Sequence, residues 1–310
     1  MRAIIQQAFG EPDVLELAEV ERPTPQRHEV LVRVRAAGVN PPDWRIRRTP
    51  FPPHYTEPPL ILGWDVSGVV EEAGQHVGRF RPGDEVFGML NFPDPAGAYA
   101  EYVVARPRQL ARKPAGVDHV QAAALPMSAL SAWQAFEDIA EVLPGHRVLV
   151  HGAAGGVGHL AVQLAKLRGA YVIGTARASK HDFVRSLGAD EMIDYTSVDF
   201  AEVVSDVDVV LDMVGRDYPH RSLRVLRPGG AFIGGAGMYA EAVEEYQRSG
   251  LRWGHFAVEP DHAALEQVAS LVASGKLAAH VDRVFPLADA AKAHVLMESG
   301  DFVGKLVLEV

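Results

Sequence analysis

The chain has 310 residues, 48% of them hydrophobic, which is enough for one large or two medium-sized domains with substantial cores. Its formal net charge of −10 argues against a general nucleic-acid-binding surface. It contains no cysteine, which excludes disulfides, thiol catalysis and cysteine-ligated zinc. No stretch approaches the roughly 20 apolar residues of a membrane-spanning helix, and the first residues lack a secretory signal. We therefore expect a cytoplasmic protein that binds neither nucleic acid nor membrane.

The first 118 residues predict a β-rich domain. Short runs of alternating apolar and polar residues are separated by turn signals such as Arg81-Pro-Gly-Asp84. The proline-rich stretch 50–59 predicts a loop, because most of it cannot donate hydrogen bonds to a sheet. The runs that predict strands are 14–17, 30–36, 66–70, 85–89 and 99–104.

From residue 119 the pattern changes to alternating strands and helices. This alternation predicts an α/β fold, a doubly wound parallel sheet with helices on both faces. The end of the chain returns to the style of the first domain, with a strand at 281–285, a helix at 287–299 and a strand at 304–310. We therefore predict that a nucleotide-binding domain, 119–276, is inserted into a β-rich domain made of 1–118 and 277–310. The predicted strands of the insert are 148–150, 171–175, 191–193, 207–211 and 231–234, and its helices are 120–135 (interrupted by a proline), 179–187, 221–226 and 261–274.

A glycine-dense loop, 152–158, lies between the first strand of the insert and a helical pattern. A helix start exposes backbone N–H groups and favours an anion, and glycine lets a diphosphate come close to the backbone. In the frame G-x-G-x-x-G the chain has Ala153, Gly155 and Gly158. The loop therefore predicts a dinucleotide site, with an ordinary structural turn as the alternative. Its predicted contact residues are Ala153, Ala154, Gly155, Gly156 and Val157.

The second strand of the insert indicates which dinucleotide binds. An NAD site usually has Asp or Glu about 20 residues past the loop, whereas this chain has Thr175 followed by Arg177 and Lys180. A carboxylate would repel a 2′-phosphate, and these cations would attract it. The pattern therefore predicts NADPH. In the alternative, Ser179 only caps the next helix and Lys180 is solvated.

Eight separate stretches of the chain carry a family resemblance, and they are 36–43, 62–70, 81–88, 97–104, 124–134, 152–158, 187–190 and 304–308. Together they resemble the medium-chain dehydrogenase/reductase superfamily, and most closely its zinc-free quinone oxidoreductase (zeta-crystallin-like) branch. The resemblance implies a GroES-like β-barrel domain plus a Rossmann domain, usually as a dimer. Zinc-dependent relatives have a metal-binding cysteine at the position of Asn40 and a metal-region histidine at that of Trp64, so the resemblance implies a zinc-independent protein.

The same resemblance indicates the remaining site residues. An amide at Asn40 can donate to a substrate carbonyl oxygen, orient the nicotinamide carboxamide or simply hold its turn. Some relatives have a tyrosine about two residues past Asp43, where this chain has Arg45, which leaves the proton donor open. Tyr55 is a weaker candidate for that role. Surface, packing or backbone-bonding roles stay open for the further cofactor-binding candidates, which are Ser131, Tyr195, Val214, Gly235, Phe256 and Lys305.

We therefore predict an NADPH-dependent reductase that transfers hydride to a quinone or an α,β-unsaturated carbonyl compound in a cleft between the two domains. Two alternatives stay open, a non-catalytic NADPH-binding, sensing or crystallin-like protein and an enoyl-thioester reductase. A homodimer is expected, because strand 231–234 and the glycine-rich 234–237 are predicted near the end of the sheet, where a partner strand can cover the edge.

Overall fold

The computed structural model describes residues 1–50, 57–235, 240–255 and 257–310. Backbone contacts divide the chain into two compact units. The first consists of residues 1–130 and 259–310, and the second of residues 131–258. The second unit is thus one continuous segment inserted into the first.

Regular elements account for most of both units. The strands are β1 (Arg2–Gln6), β2 (Leu15–Glu19), β3 (Val30–Val39), β4 (Leu60–Ile61), β5 (Asp65–Ala73), β6 (Glu85–Met89), β7 (Tyr102–Ala105), β8 (Leu110–Arg112), β9 (Arg147–His151), β10 (Tyr171–Ala176), β11 (Glu191–Asp194), β12 (Val207–Asp212), β13 (Leu226–Gly234), β14 (Arg252–His255), β15 (Val281–Pro286) and β16 (Lys305–Glu309). The helices are α1 (Pro41–Arg48), α2 (His119–Ala123), α3 (Pro126–Gln134), α4 (Gly158–Leu167), α5 (His181–Ser186), α6 (Phe200–Val203), α7 (Tyr218–Ser222), α8 (Ala240–Ser249), α9 (His262–Ala273) and α10 (Ala290–Ser299). A membrane span would need a longer and more apolar helix than any in the described part of the chain.

The first unit is built on β3, a ten-residue strand that is apolar along most of its length and largely buried. It pairs antiparallel with β5, β7 and β16 in a seven-stranded sheet of order β15-β16-β3-β5-β6-β8. A smaller sheet has the order β2-β1-β4. The carboxyl end of β3 therefore lies beside the start of β5 and the start of β16. This register brings residues from three distant parts of the chain to the end of β3.

The second unit is a six-stranded parallel sheet of order β11-β10-β9-β12-β13-β14. Numbered within the unit, this is 3-2-1-4-5-6, the doubly wound order that reverses between the first and fourth strands. Central strand residues such as Leu149, Val210 and Phe232 are fully buried, as expected for a sheet covered on both faces. The predicted α/β fold is confirmed. Ligands of such sheets bind where the order reverses, at the carboxyl ends of the strands.

The part of the second unit around β13 differs from the sequence prediction. Helix α7 covers 218–222 instead of 221–226, because Pro219 starts a helix in its first turn, where no N–H is needed. β13 then begins at Leu226, five residues before the predicted strand 231–234. It is also not the edge of the sheet, since β14 pairs with it along its outer side. A partner strand that extends this sheet would therefore have to pair with β14.

The junctions between the units also lie elsewhere than at 118 and 276. Helix α2 packs against β3 and β5, and helix α9 packs against β8. Both helices therefore group with the first unit, although the sequence prediction assigned them to the inserted domain. Their apolar faces are covered by strands that lie far away in the sequence.

Candidate functional site

The glycine-rich loop joins β9 to α4 at the carboxyl end of the parallel sheet. Its conformation is held by Ala153 N–H, which donates to the carbonyl of Thr175 at 3.1 Å, and by Gly155 N–H, which donates to that of Gly152 at 2.9 Å. At a helix start the first N–H groups have no partner within the helix and can bind an anion. In the described part of the chain, three N–H groups of this loop donate to no backbone carbonyl, and they are those of Ala154, Gly156 and Val157.

Glycine is needed at positions 155 and 158 of the loop for different structural reasons. A Cβ at Gly158 would lie 2.2 Å from the carbonyl oxygen of Gly152 and 2.8 Å from Cα of Ala153, so only glycine fits there. A Cβ at Gly155 would meet only the Gly152 oxygen, at 3.3 Å, and otherwise open space. Gly158 therefore packs the loop against itself, and Gly155 leaves room in front of the backbone. This cradle fits the diphosphate of a dinucleotide.

A buried histidine at the end of β9, His151, contacts Thr175, whose carbonyl holds the glycine loop. The His151 ring lies 3.1 Å (Nδ1) from the Thr175 hydroxyl and 3.3 Å (Nε2) from the Ser222 hydroxyl. Burial lowers the pKa of His151 to about 3, so the ring is neutral at physiological pH. The Thr175 hydroxyl is also buried and faces His151. Thr175 therefore contributes to the site by holding the loop through its carbonyl and hydroxyl.

The predicted 2′-phosphate region lies after β10 and β11. The guanidinium Nε of Arg177 donates to the hydroxyl of Tyr195 at 3.3 Å, and both side chains are exposed. A 3-10 turn, Ala178–Lys180, follows β10 and leads into α5. Its last residue, Lys180, occupies the N-cap position of α5, whereas the alternative to a 2′-phosphate site had assigned the cap to Ser179. A cation and a phenol from neighbouring strand ends thus meet at the same edge of the sheet as the glycine loop.

The loops after β12 and β13 are held by Asp212, which the sequence analysis had not singled out. Its Oδ1 accepts from Val214 N–H at 2.8 Å and from Gly215 N–H at 3.1 Å. Its backbone carbonyl accepts from Gly235 N–H at 2.9 Å. Burial raises the pKa of Asp212 to about 6. The structure therefore brings Val214 and Gly235 to the carboxyl edge of the sheet, together with the glycine loop.

In the first unit, Asn40 caps helix α1 in an extended conformation and is 1% exposed. Its backbone N–H donates to Oδ2 of Asp43 at 2.7 Å, and the Tyr99 hydroxyl donates to the same oxygen at 2.9 Å. Asp43 thus braces the turn through hydrogen bonds. The turn is therefore fixed both by its own capping box and by a tyrosine from a distant loop.

The Asn40 carboxamide is held at both ends. Nδ2 donates to Oδ2 of Asp65 at 2.9 Å, and Oδ1 accepts from the ammonium of Lys305. Lys305 also donates to the carbonyl of Val39 at 2.9 Å and is 1% exposed. The prediction that Lys305 contacts the cofactor is not supported by this geometry, because its ammonium points into the first unit and is used there. The remaining Nδ2 contact, to the carbonyl of Gly38, is long, at 3.5 Å.

Burial dominates the electrostatics of this cluster. It raises the pKa of Asp43 to about 7 and that of Asp65 to about 6, the latter partly offset by the Lys305 ammonium. Burial also lowers the pKa of Lys305, although both carboxylates oppose that shift. The cluster thus contains one buried cation, Lys305, and two buried carboxyl groups, Asp43 and Asp65, whose ionisation is disfavoured by burial.

The structure does not test the roles of three other predicted site residues. Ser131 lies in α3 and is buried. Tyr55 and Phe256 lie outside the described residues. Their predicted roles therefore stay predictions.

Comparison with known proteins gives a consistent result. The family described as "Alcohol dehydrogenase GroES-like domain" matches residues 26–115, and the family described as "Zinc-binding dehydrogenase" matches residues 187–308. The chain is 34% identical to the quinone-oxidoreductase homolog of Spinacia oleracea, over 97% of this chain and 95% of that protein. It is 33% identical to the NADPH-dependent alkenal/one oxidoreductase of Arabidopsis thaliana, over 99% and 79%. The structure of Escherichia coli quinone oxidoreductase complexed with NADPH superposes with a TM-score of 0.91 at 29% identity, over all of both chains.

A β-rich unit interrupted by a parallel unit with a glycine loop at its switch point defines a two-domain oxidoreductase of the dinucleotide-binding class. The match over 26–115 confirms the predicted GroES-like domain. This chain belongs to the medium-chain dehydrogenase/reductase superfamily, in its quinone oxidoreductase branch, which confirms the resemblance seen in the sequence.

Proposed function

We propose that this protein is a zinc-independent, NADPH-dependent reductase of quinones or α,β-unsaturated carbonyl compounds. The observation that carries the proposal is the open cradle at Gly155, followed at the same sheet edge by the Arg177–Tyr195 pair. The names of the similar proteins, a quinone oxidoreductase and an alkenal/one oxidoreductase, support the acceptor classes.

NADPH, when bound, supplies the hydride. The loop N–H groups of Ala154, Gly156 and Val157 bind the diphosphate at the start of α4, where the helix dipole favours negative charge. Arg177 and Tyr195 bind the 2′-phosphate, Arg177 as a cation and Tyr195 as a hydroxyl donor. Asp212 keeps the loops after β12 and β13 in place, and His151 keeps the glycine loop in place.

The side chains at the two positions where zinc-dependent relatives have ligands support the proposal of zinc independence. The Asn40 amide is used by Lys305 and Asp65, and the buried Trp64 indole donates to the carbonyl of Asp94 at 2.9 Å. No group of three or more potential ligand side chains is found among the residues that the structure describes. Without a Lewis acid to polarise the substrate, the acceptor itself has to be electrophilic. Quinones and enones meet this condition.

When the protein is mixed with NADPH under anaerobic conditions, it is expected to oxidise the NADPH in the presence of 1,4-benzoquinones, simple enones or both. Dialysis of the protein against a chelator is expected to leave this rate unchanged. Absorbance at 340 nm measures the reaction. Tight NADPH binding without turnover of any acceptor would indicate a binding or sensing protein instead. A strong preference for thioester-bound enoyl chains would indicate an enoyl-thioester reductase. A rate that falls on chelation and returns with Zn²⁺ would refute zinc independence.

The Arg177→Ala variant is expected to raise the Kd for NADPH about 10-fold, since one charge-assisted hydrogen bond contributes about 1.5 kcal/mol or more. The Kd for NADH should stay the same, because NADH has no 2′-phosphate. Fluorescence titration measures both constants. Arg185→Ala is the matched control, an exposed arginine on α5 that pairs with Asp182. Equal weakening of both cofactors, or none, would contradict the assignment of Arg177.

A further inference from the structure

We propose that Lys305 and Asp65 are positioning residues of the reductase site, which act through Asn40. They hold its carboxamide in one orientation and leave a single N–H as the donor that this turn offers to a ligand oxygen. This inference rests on the proposed function, and it adds two residues, neither of which was expected to act through Asn40.

The chemistry of the partners fixes the direction of the amide. An ammonium has only donors and an ionised carboxylate has only acceptors. Lys305 therefore has to meet the amide oxygen of Asn40, and Asp65 has to meet its nitrogen. A flipped amide would place N–H against ammonium and oxygen against carboxylate, both of which are repulsive. With neutral partners, the two orientations of an asparagine differ much less in energy.

The register of the sheet brings the three residues together. Asp65 pairs with Gly38 across β3 and β5, and Leu306, directly after Lys305, pairs with Val39 across β3 and β16. Asn40 follows β3 directly, so its amide lies between the starts of the two neighbouring strands. Lys305 and Asn40 are 265 residues apart in the chain.

Asp65 is held on both of its oxygens. Oδ1 accepts from Met127 N–H at 2.9 Å, near the start of α3, and Oδ2 accepts from Asn40. The Lys305 ammonium lies 3.8 Å from the same Oδ2. The carboxylate therefore cannot rotate away from the amide without the loss of a second hydrogen bond. All three side chains are buried, where charge-assisted bonds are strong and poorly screened.

One N–H of Asn40 is left without a close acceptor. Its nearest acceptor is the carbonyl of Gly38 at 3.5 Å, beyond the usual length of an N–H···O bond. The ammonium on the amide oxygen polarises the carboxamide and makes this N–H a stronger donor. A poorly bonded N–H in a buried site costs free energy, and an oxygen that reaches it removes this cost. Such a donor suits an acceptor oxygen that gains negative charge during reduction.

Lys305→Met is expected to lower kcat about 100-fold with a smaller change in KM, because displacement of a reacting geometry by about 1 Å can cost that much. It also leaves the Asp65 charge unbalanced and lowers the Tm. Lys305→Met with Asp65→Asn removes both charges, so that the Tm should recover while kcat stays low. Lys292→Met, at an exposed lysine of α10 that pairs with Asp289, is the matched control and should behave like the wild type. Recovery of kcat together with Tm in the double variant would overturn the proposal, because it would show a purely structural role.

A second readout does not depend on turnover. The chain has two asparagines, Asn40 and Asn91, so selective ¹⁵N labelling of asparagine gives two side-chain amide pairs in an NMR spectrum. In the wild type the Asn40 pair is expected to exchange with solvent much more slowly than the Asn91 pair. In the double variant, where Asp65→Asn adds a third side-chain amide pair, the Asn40 pair should exchange faster. Equal protection in wild type and double variant would overturn the positioning role. A wild type with a protected Asn40 pair but no turnover would refute the proposed function and leave the orientation of the amide supported.

Discussion

Gly158→Ala is expected to lower the free energy of unfolding by about 3 kcal/mol and to raise the Kd for NADPH at least about 100-fold. The added Cβ would lie 2.2 Å from the carbonyl oxygen of Gly152 and 2.8 Å from Cα of Ala153. These are backbone atoms, so the loop itself has to move. A moved loop loses two or more charge-assisted bonds from its N–H groups to the diphosphate.

Gly155→Ala separates the contribution of the loop to stability from its contribution to NADPH binding. Its Cβ would meet only one atom, at 3.3 Å, so stability should change little while NADPH affinity falls strongly. Chemical unfolding measures the first quantity, and fluorescence titration with NADPH measures the second. Wild-type affinity in Gly155→Ala would show that the diphosphate does not bind over this glycine. Wild-type stability in Gly158→Ala would show that the loop has another conformation.

Asp43→Asn is expected to change how stability depends on pH. Burial raises the pKa of Asp43 to about 7 in the folded protein, from 3.8 as the ordinary value. Between pH 4 and 7 the unfolded chain releases this proton and the folded chain retains it, so the wild type loses stability as the pH rises. The difference of about three pKa units corresponds to about 4 kcal/mol. Above pH 7 both states are ionised and the loss stops.

The asparagine variant has no proton to release at this position. Its amide oxygen can still accept from Asn40 N–H and from the Tyr99 hydroxyl, as Oδ2 of Asp43 does. The free energy of unfolding of the variant, relative to the wild type, should therefore increase from pH 4 to pH 7 and then stay constant. Urea unfolding at each pH measures the difference, with Asp182→Asn, at a fully exposed side chain, as control. A difference that does not change with pH would contradict the burial argument.

Much of the cofactor half of the site could be predicted from the sequence, because its elements are local. The glycine loop, the start of α4, and the cations after β10 are each specified within about 30 residues of chain. The parallel order of the strands then brings Arg177, Tyr195, Val214 and Gly235 to one edge. The polar residues Asp212 and His151, which hold the loops at this edge, were missed. Asp212 and His151 end apolar strands, and a polar residue at such a position is the signal that would have found them.

The α/β alternation, the phosphate loop and the absence of thiolate ligands can be predicted from short stretches of sequence, because backbone preferences, glycine sterics and residue chemistry act locally. The surroundings of Asn40 depend on the tertiary fold. Lys305 and Asp65 reach its amide through the register of β16, β3 and β5, and no local pattern encodes that register. Tertiary packing also decided that α2 and α9 belong to the first unit and that β14 forms the sheet edge. The physical reason is the same in each case: burial and charge pairing depend on which distant residues the fold brings into contact.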